Sequence, residues 1–385
     1  MLNHIVIAFF TALLAVTWIH PRIVKIAISK NIVDNPNARK LQATPVPVLG
    51  GVAVFFGIVI GLAFTSGAAD CMSLMPIIAT MLIMLYTGTM DDIIDLSPRM
   101  RFALEIGVIA LLIYTNKMVI NNFHGMWDIH WISNGYAIPL TIFAAVGIIN
   151  SINLIDGVNG LSSGYCILAS TIFGVFFYLT DNLPMVILAT VSVGSLIPFF
   201  VHNVFGKKSK MFIGDGGALV MGLIMSAFVI SALCTDCTAL ETLGSAFNPI
   251  PFTLAVMVIP VADTLRVMSS RIVRGTSPFH PDKTHLHHLF IGNGFSHAGT
   301  TTMILLLNAI VIAAQFTAWR MGVSAEVQLY IVIGMGVIMS WGLYHGVSMM
   351  HNDGMGKKII RIIGRTTHME RKGIFLVLQR IVDKI

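Results

Sequence analysis

The sequence predicts an all-α membrane protein with about eleven transmembrane helices, an N-terminus outside and a C-terminus in the cytoplasm. Apolar residues make up 56% of the 385-residue chain and charged residues only 11%, while the mean hydropathy is +0.83. Such a composition is typical of a polytopic membrane protein. The apolar residues form stretches near the ~20 residues that a spanning helix needs. The basic residues avoid every second connection between these stretches.

Hydropathy places the predicted spans at 4–28, 48–66, 73–89, 101–119, 136–152, 161–179, 184–202, 216–234, 250–268, 299–319 and 325–346. All but Lys117 and Arg320 of the 24 Lys and Arg residues fall on one side of this topology. By the positive-inside rule that side is cytoplasmic, which fixes the orientation and requires an odd number of spans. The net charge of +6 therefore indicates membrane topology, and no nucleic-acid partner is expected.

The chain divides into a polytopic domain, 1–346, with cytoplasmic loops, and a basic amphipathic tail, 347–385. The tail is too polar to span, and its Lys and Arg residues recur at i, i+4 on a face away from its isoleucines, which predicts an interfacial helix. The first apolar run is too long for a signal peptide and lacks a cleavage site, so we expect a span there. Cys234 and Cys237 are interpreted as unrelated cysteines, with oxidation of the pair as the alternative if it faces outward.

Two acidic clusters interrupt the apolar sequence. Asp91 and Asp92, in GTMDDIIDLSPR, end the third span, where adjacent carboxylates repel unless a cation or a shared proton stabilises them. Asn153, Asp156 and Asn159 recur every three residues in NLIDGVNGLSSG. Because an Asp at the centre of a span costs roughly 2.5–3.5 kcal/mol, these groups are expected to face a polar cavity. The alternatives are a polar helix end and a satisfied Asp among packing glycines.

Two further segments are unusually polar. Asp215 lies in the glycine-rich turn FIGDGG, directly after Phe212, and is either a ligand for Mg²⁺ or a helix cap. The stretch 266–288 carries basic residues and a HLHH motif, which suits metal binding, proton relay or phosphate binding, or else forms a solvated basic loop. Asp263 is either part of an internal salt bridge or a site carboxylate.

All these polar segments fall on the cytoplasmic side of the predicted topology. A site for magnesium and phosphates explains them together, because a metal held by carboxylates stabilises charge on a leaving phosphate. A transporter explains them less well, since its ionisable residues belong near the membrane midplane. A zinc hydrolase is disfavoured because the sequence lacks an HExxH motif.

The motifs DDIID, NLIDGVNGL, FIGDGG and HPDKTHLHH, in this order, resemble the polyprenyl-phosphate N-acetylhexosamine-1-phosphate transferases of bacterial inner membranes. The resemblance covers roughly 35–288, and HLHH is most similar to the undecaprenyl-phosphate N-acetylglucosamine-1-phosphate transferase branch, of glycosyltransferase family 4 type. It implies attack of undecaprenyl phosphate on the β-phosphate of UDP-N-acetylglucosamine, release of UMP and a requirement for Mg²⁺. The product would be the lipid-linked first sugar of a cell-envelope polysaccharide, made at the cytoplasmic face of the inner membrane.

The resemblance also implies roles for single residues. Asp91, Asp92 and Asp215 would hold magnesium, and the first two would also bind or deprotonate the lipid phosphate. The other catalytic residues would be Asp156, His285, His287 and His288. Substrate-binding residues would be Lys40, Asn153, Asn159, Phe212, Arg274 and Lys283.

Position 159 departs from the pattern, because many family members carry Asp there. An amide can hydrogen-bond uracil but cannot act as a base. The exact sugar therefore stays open between N-acetylglucosamine, a modified 6-deoxy hexosamine and a muramoyl-pentapeptide. The choice between direct attack and an aspartyl-phosphate is also open, as is the oligomeric state, with a homodimer as one option.

Overall fold

The computed structural model describes residues 2–35, 44–65, 69–234, 237–244, 246–279, 282–368 and 373–384. It is helical almost throughout, which confirms the predicted all-α class. The helices are α1 (Leu2–Ser29), α2 (Gly50–Ala63), α3 (Met75–Ile94), α4 (Pro98–Asn116), α5 (Asn134–Leu154), α6 (Leu161–Leu179), α7 (Leu183–Phe205), α8 (Gly214–Ala232), α9 (Ala239–Leu243), α10 (Pro249–Val273), α11 (Leu286–Gly292), α12 (His297–Arg320), α13 (Ala325–Val337), α14 (Leu343–Met349), α15 (Met355–Thr366) and α16 (Ile374–Val382).

Nine helices in the described part of the chain are long and apolar enough to cross a membrane. The last of these joins α13 and α14 through a π-helical turn, Ile338–Gly342. Each of the eleven predicted spans coincides with a helix, but two are weaker: α2 has 14 residues, and α4 begins with the charged sequence PRMR. The chain is a multi-pass membrane protein, and the count of eleven stays a prediction, as does the orientation of its ends.

The helix starts follow local sequence rules. Ser97 caps α4 by accepting a hydrogen bond from the Met100 N–H, and Pro98 follows it in the first turn. Asn182 and Asn248 cap α7 and α10 in the same way, each also followed by proline within the first turn. Proline suits this position because the first helical N–H groups have no partner within the helix.

Helix α8 lies at the centre of the bundle, with nearly every residue buried. Glycines let neighbouring helices approach it closely. A Cβ on Gly88 of α3 would come 2.5 Å from the Gly216 Cα, and a Cβ on Gly222 would come 2.7 Å from the Ile149 Cα of α5. The outer helices α1, α12 and α13 instead expose many large apolar side chains, as helices in contact with lipid do.

A short hairpin lies beside the start of α8. Its strands β1 (Val33–Asp34) and β2 (Val46–Pro47) pair antiparallel, with Val33 opposite Pro47. The Phe212 N–H donates to the Pro47 carbonyl at 2.8 Å, which fixes the turn before α8 against the hairpin. Lys40, predicted to bind substrate, lies between these strands and outside the described residues.

The tail forms two helices where the sequence predicted one. Helix α15 exposes Ile359, Ile362 and Ile363, as an interfacial helix does. Helix α16 packs on α7 through Phe375, whose ring centroid is 4.9 Å from that of Phe205.

Candidate active site

A cavity of about 1320 Å³ opens where several helices end. Its walls come from the ends of α3, α5 and α7, the starts of α6, α8 and α12, and one side of α16. The sequence-predicted residues that line it are Asp91, Asp92, Asn153, Asp156, Asn159, Phe212, Asp215 and His288. Residues from four separate motifs therefore meet in one space. We expected Asp91 and Asp92 to share a cavity with His285, His287 and His288, and of these histidines His288 lines it among the described residues.

The turn before α8 brings Asp92 of the DDIID motif close to Asp215 of the FIGDGG motif. Gly214 adopts a left-handed conformation, with φ +70°, and a Cβ there would lie 2.6 Å from the Asp92 Oδ2. Glycine is therefore the residue that this approach requires. As a result, the Asp92 Oδ1 accepts the Asp215 backbone N–H at 3.2 Å, at the amino end of α8. This end of a helix favours negative charge.

Arg101 connects these carboxylates to Asn153 of the NLIDGVNGL motif. Its Nη1 donates to the Asp91 Oδ2 at 3.1 Å and lies 3.9 Å from the Asp215 Oδ2. Its Nη2 donates to the Asn153 Oδ1 at 2.8 Å, and its Nε donates to the Glu105 Oε1 at 3.3 Å. One guanidinium thus positions three of the predicted site residues, as its fork of five donors allows.

Sequence reasoning missed this role, because Arg101 was interpreted only as a basic residue on the cytoplasmic side. The signal that was available is Glu105 one helical turn later. A buried carboxylate in a span needs a partner, and i, i+4 is the spacing at which it finds one on a helix.

Asn153 and Asp156 complete the polar wall. The Asn153 Nδ2 donates to the Asp215 Oδ1 at 2.6 Å. Asp156 accepts a short hydrogen bond from the Ser162 hydroxyl. Burial, together with the negative charges of Asp215 and Asp92, raises the pKa of Asp156 to about 8. This carboxyl group therefore binds a proton more readily than an exposed aspartate does.

Asp263 belongs to an internal salt bridge, which settles the alternative that the sequence left open. Its Oδ1 accepts from Arg266 at 2.8 Å, and its Oδ2 lies 2.9 Å from the His285 Nδ1. The backbone N–H of Leu286 also donates to this carboxylate, at 3.2 Å. The buried ion pair thereby fixes the start of the histidine motif.

The three predicted catalytic histidines lie at different depths. His285 and His287 are buried, at 4% and 3% exposure, and only His288 of the three lines the cavity among the described residues. A Cβ on Gly157 would lie 2.5 Å from the His287 Nε2, so this ring packs against the backbone beside Asp156. His285 and His287 therefore support the cavity wall from behind, and their contact with phosphate stays a prediction.

Burial controls the charge of the two histidines His287 and His288. Burial, and then the neighbouring His285 and Lys283, lower the pKa of His288 to about 4. Burial also lowers the pKa of His287, with a further contribution from His288. Both imidazoles are therefore neutral near pH 7 and can act as hydrogen-bond donors or acceptors, so the positive charge at the site comes from Arg and Lys.

Two of the predicted substrate-binding residues lie off the main cavity. Arg274 is exposed and sits 3.6 Å from Asp282, which also pairs with Arg271. Lys283 lines a second, smaller cavity, which it shares with His288. In their place, Lys207, Lys208 and Lys210 of the loop between α7 and α8 line the main cavity, beside the predicted Phe212. The Lys210 Nζ lies 5.5 Å from the centre of the Phe212 ring.

The carboxylates fit a magnesium ion that is shared with a substrate. No three His, Cys, Asp or Glu side chains of the described residues converge on one metal position. Asp91 and Asp215 both approach the Arg101 Nη1, so two carboxylates can face one ion. Magnesium is usually bound by one or two carboxylates together with substrate phosphates, and its preferred ligands are oxygens.

Apolar spanning helices enclose a cavity lined by carboxylates and lysines, which suits a cation and phosphorylated substrates at a membrane. The sequence pattern described as "Glycosyl transferase family 4" matches residues 74–233. The chain is 29% identical over 326 residues to a "Probable undecaprenyl-phosphate N-acetylglucosaminyl 1-phosphate transferase" of Bacillus subtilis (strain 168), covering 82% of this chain and 86% of the relative.

Two enterobacterial relatives are named "Undecaprenyl-phosphate alpha-N-acetylglucosaminyl 1-phosphate transferase". The one from Escherichia coli (strain K12) is 30% identical over 298 residues, with 74% of this chain and 76% of the relative covered. The one from Salmonella typhi is 28% identical over 299 residues, with 76% and 78% covered. The chain belongs to glycosyl transferase family 4, as its motifs predicted.

Proposed function

We propose that this protein transfers N-acetylglucosamine 1-phosphate from UDP-N-acetylglucosamine to undecaprenyl phosphate. An oxygen of the lipid phosphate forms a bond to the phosphorus that carries the sugar. The bond from that phosphorus to the oxygen bridging the two donor phosphates breaks, and UMP leaves with that oxygen. The products are UMP and a lipid-linked diphosphate sugar.

The single observation that carries this proposal is the convergence of Asp91, Asp92, Asp156 and Asp215 in one cavity at the helix ends. Four carboxyl groups next to an arginine and three lysines suit two phosphorylated substrates and a cation. The names of the relatives support the choice of sugar and of lipid. The distribution of Lys and Arg supports a cytoplasmic opening at a bacterial inner membrane.

The residues divide the work by their chemistry. Arg101 holds Asp91 and Asn153 in place. Asn153 in turn donates a hydrogen bond to Asp215. We infer that Asp91 and Asp215 hold Mg²⁺, which when bound would neutralise charge on the diphosphate. Lys210 and the neutral His288 are placed to contact phosphate oxygens, and Asp156 is placed to hydrogen-bond the donor substrate.

The test is turnover by the purified protein in nanodiscs. UDP-N-acetylglucosamine and undecaprenyl phosphate should yield equal amounts of UMP and lipid diphosphate sugar, and chelation of divalent cations should stop both. Parallel reactions with a 6-deoxy UDP-hexosamine and with UDP-muramoyl-pentapeptide decide the sugar. Release of UMP only from another donor would correct the substrate, and no release from any donor would favour the transporter alternative.

A further inference from the structure

Helix α16, near the C-terminus, is part of the cavity wall. Its residues Phe375, Leu376 and Gln379 line the same space as the catalytic carboxylates. Phe375 and Gln379 lie one turn apart on one face of the helix, and Leu376 lies at the edge of that face. Another side of α16 exposes Val377 and Ile381, at 54% and 57%. The helix therefore presents one face to the cavity and a different, apolar face outwards.

The residue directly after α16 is bound by the loop between α7 and α8. The Asp383 Oδ1 accepts the backbone N–H groups of Lys207 at 3.0 Å, Lys208 at 2.9 Å and Ser209 at 3.2 Å. The Ser209 hydroxyl donates to the same oxygen at 3.2 Å. Three successive N–H groups that point at one anion form a backbone anion site. Here that site is occupied by the protein's own carboxylate.

The hydrogen bonds from this loop favour the ionised form of Asp383. Burial alone would raise the pKa of Asp383, but the hydrogen bonds from Ser209, Lys207 and Lys208 outweigh it and lower that pKa. The carboxylate is therefore ionised at neutral pH, and hydrogen bonds to a charged acceptor are about twice as strong as neutral ones.

The loop that Asp383 holds leads directly into the site. On its other side, the His20 Nε2 donates to the Ser209 carbonyl at 2.9 Å. Two residues later, the Met211 carbonyl accepts from the Asn203 Nδ2 at 2.7 Å. Between these contacts lies Lys210, and Phe212 follows. The loop is thus fixed between α1, α7 and α16, and its shape determines where two cavity residues stand.

We propose that Asp383 latches α16 onto this loop, so that the helix completes the pocket for the nucleotide part of the donor substrate. The inference rests on the proposed function and extends it to a segment outside the catalytic motifs. Phe375 and Leu376 offer apolar contact to a flat base, and the Gln379 amide can both donate to and accept from a pyrimidine edge. The lysines beside them suit the charge of a nucleotide phosphate. Asp383 is a positioning residue in this arrangement, because it acts through α16 and the loop.

The decisive variants are Asp383→Ala and Gln379→Ala, with Asp353→Asn as the control, since Asp353 is an exposed acid in the same tail. Both test variants should raise KM for UDP-N-acetylglucosamine by about tenfold while KM for undecaprenyl phosphate stays unchanged, the size expected for losing hydrogen bonds to a charged or buried group. The kcat should change less than KM. The control should keep both constants.

A second readout separates the latch from general damage. Formate should restore donor binding in Asp383→Ala, because a small carboxylate can enter the freed backbone site, and it should not restore Gln379→Ala. Hydrogen exchange of the 207–209 amides should speed up in Asp383→Ala, and added UDP-N-acetylglucosamine should slow exchange in α16 of the unsubstituted protein. Unchanged donor KM in both variants, or an increase in the lipid KM alone, would show that α16 is only a membrane anchor.

The two proposals fail differently. An unsubstituted protein that releases no UMP from any donor would refute the proposed function. Hydrogen exchange would still test the latch. Equal exchange rates of the 207–209 amides in Asp383→Ala and in the unsubstituted protein would refute it. A protein that turns over normally but shows no effect of Asp383→Ala or Gln379→Ala would keep its function and lose the latch.

Discussion

Arg101 and Asp91 form an ion pair across the end of the α3–α4 connection, with 3.1 Å between the Arg101 Nη1 and the Asp91 Oδ2. The pair is partly buried, and the same guanidinium also reaches Asn153 and Glu105. The orientation of Asp91 in the cavity thus depends on a residue from a different helix.

Arg101→Ala should therefore reduce kcat by about a hundredfold, since misplacing a reacting group by about 1 Å costs that much. Arg101→Lys should recover only part of the loss, because an ammonium cannot reproduce the planar fork that reaches several partners at once. UMP release by purified variants measures both. Arg99→Ala, two residues away and exposed, is the matched control, and an equal loss there would point to membrane insertion instead of positioning.

Gly214→Ala should damage the site and the fold together. The new methyl group would meet Asp92 and the Val48 carbonyl, and φ is +70°. A left-handed non-glycine residue alone costs about 1–3 kcal/mol. We expect a lower Tm in detergent and loss of UMP release. Gly107→Ala, within α4 and with nothing within 4 Å of the new Cβ, should leave Tm unchanged or raise it, and a similar drop there would refute the steric explanation.

The neutral state of His288 gives a pH dependence with a definite sign. Its pKa falls from 6.5 to about 4 on folding because of burial and the nearby His285 and Lys283. The unfolded chain therefore binds the proton first as pH falls from 6.5 towards 4, so the folded state loses stability in this window. His288→Gln should lose less Tm between pH 7 and pH 5 than the unsubstituted protein does. The exposed His351→Gln should match the unsubstituted protein, and identical pH profiles for all three would contradict the assignment.

The topology is testable independently of catalysis. Reporter fusions after Lys117 and Arg320 should report the outside, and a fusion after His288 the cytoplasm, because all other basic residues lie on the side of His288. The shorter α2 and the charged start of α4 make this test informative. A reversed reporter at any of the three positions would refute eleven spans with this orientation.

The sequence was sufficient to predict the helical bundle and most of the cavity. Polar groups such as Asp92, Asn153 and Asp215 are costly within an apolar chain, so their presence alone indicated a polar space. The order of the motifs then indicated the family. The length of α2 was overestimated, because hydropathy continues past the point where the helix ends at Ala63.

The remaining features depend on contacts between distant residues, which periodicity does not reveal. Asp263 finds His285 only through the fold of the 266–285 segment, and the neutrality of His288 follows from its burial. Asp383 was interpreted as part of a membrane-bound tail, because its backbone site exists only once residues 207–209 have turned their N–H groups to one side. The role of Arg101 was missed because the positive-inside rule already accounted for a basic residue at this position.

The central claim is that Asp215 holds a magnesium ion in this cavity while phosphate is transferred. The most direct measurement is UMP release by Asp215→Asn over a range of Mg²⁺ concentrations, with Asp353→Asn as the exposed control. We expect the variant to insert and fold normally but to lose about a hundredfold or more in turnover, since a metal ligand supplies several kcal/mol of charge stabilisation. Turnover near that of the unsubstituted protein at limiting Mg²⁺ would contradict the claim.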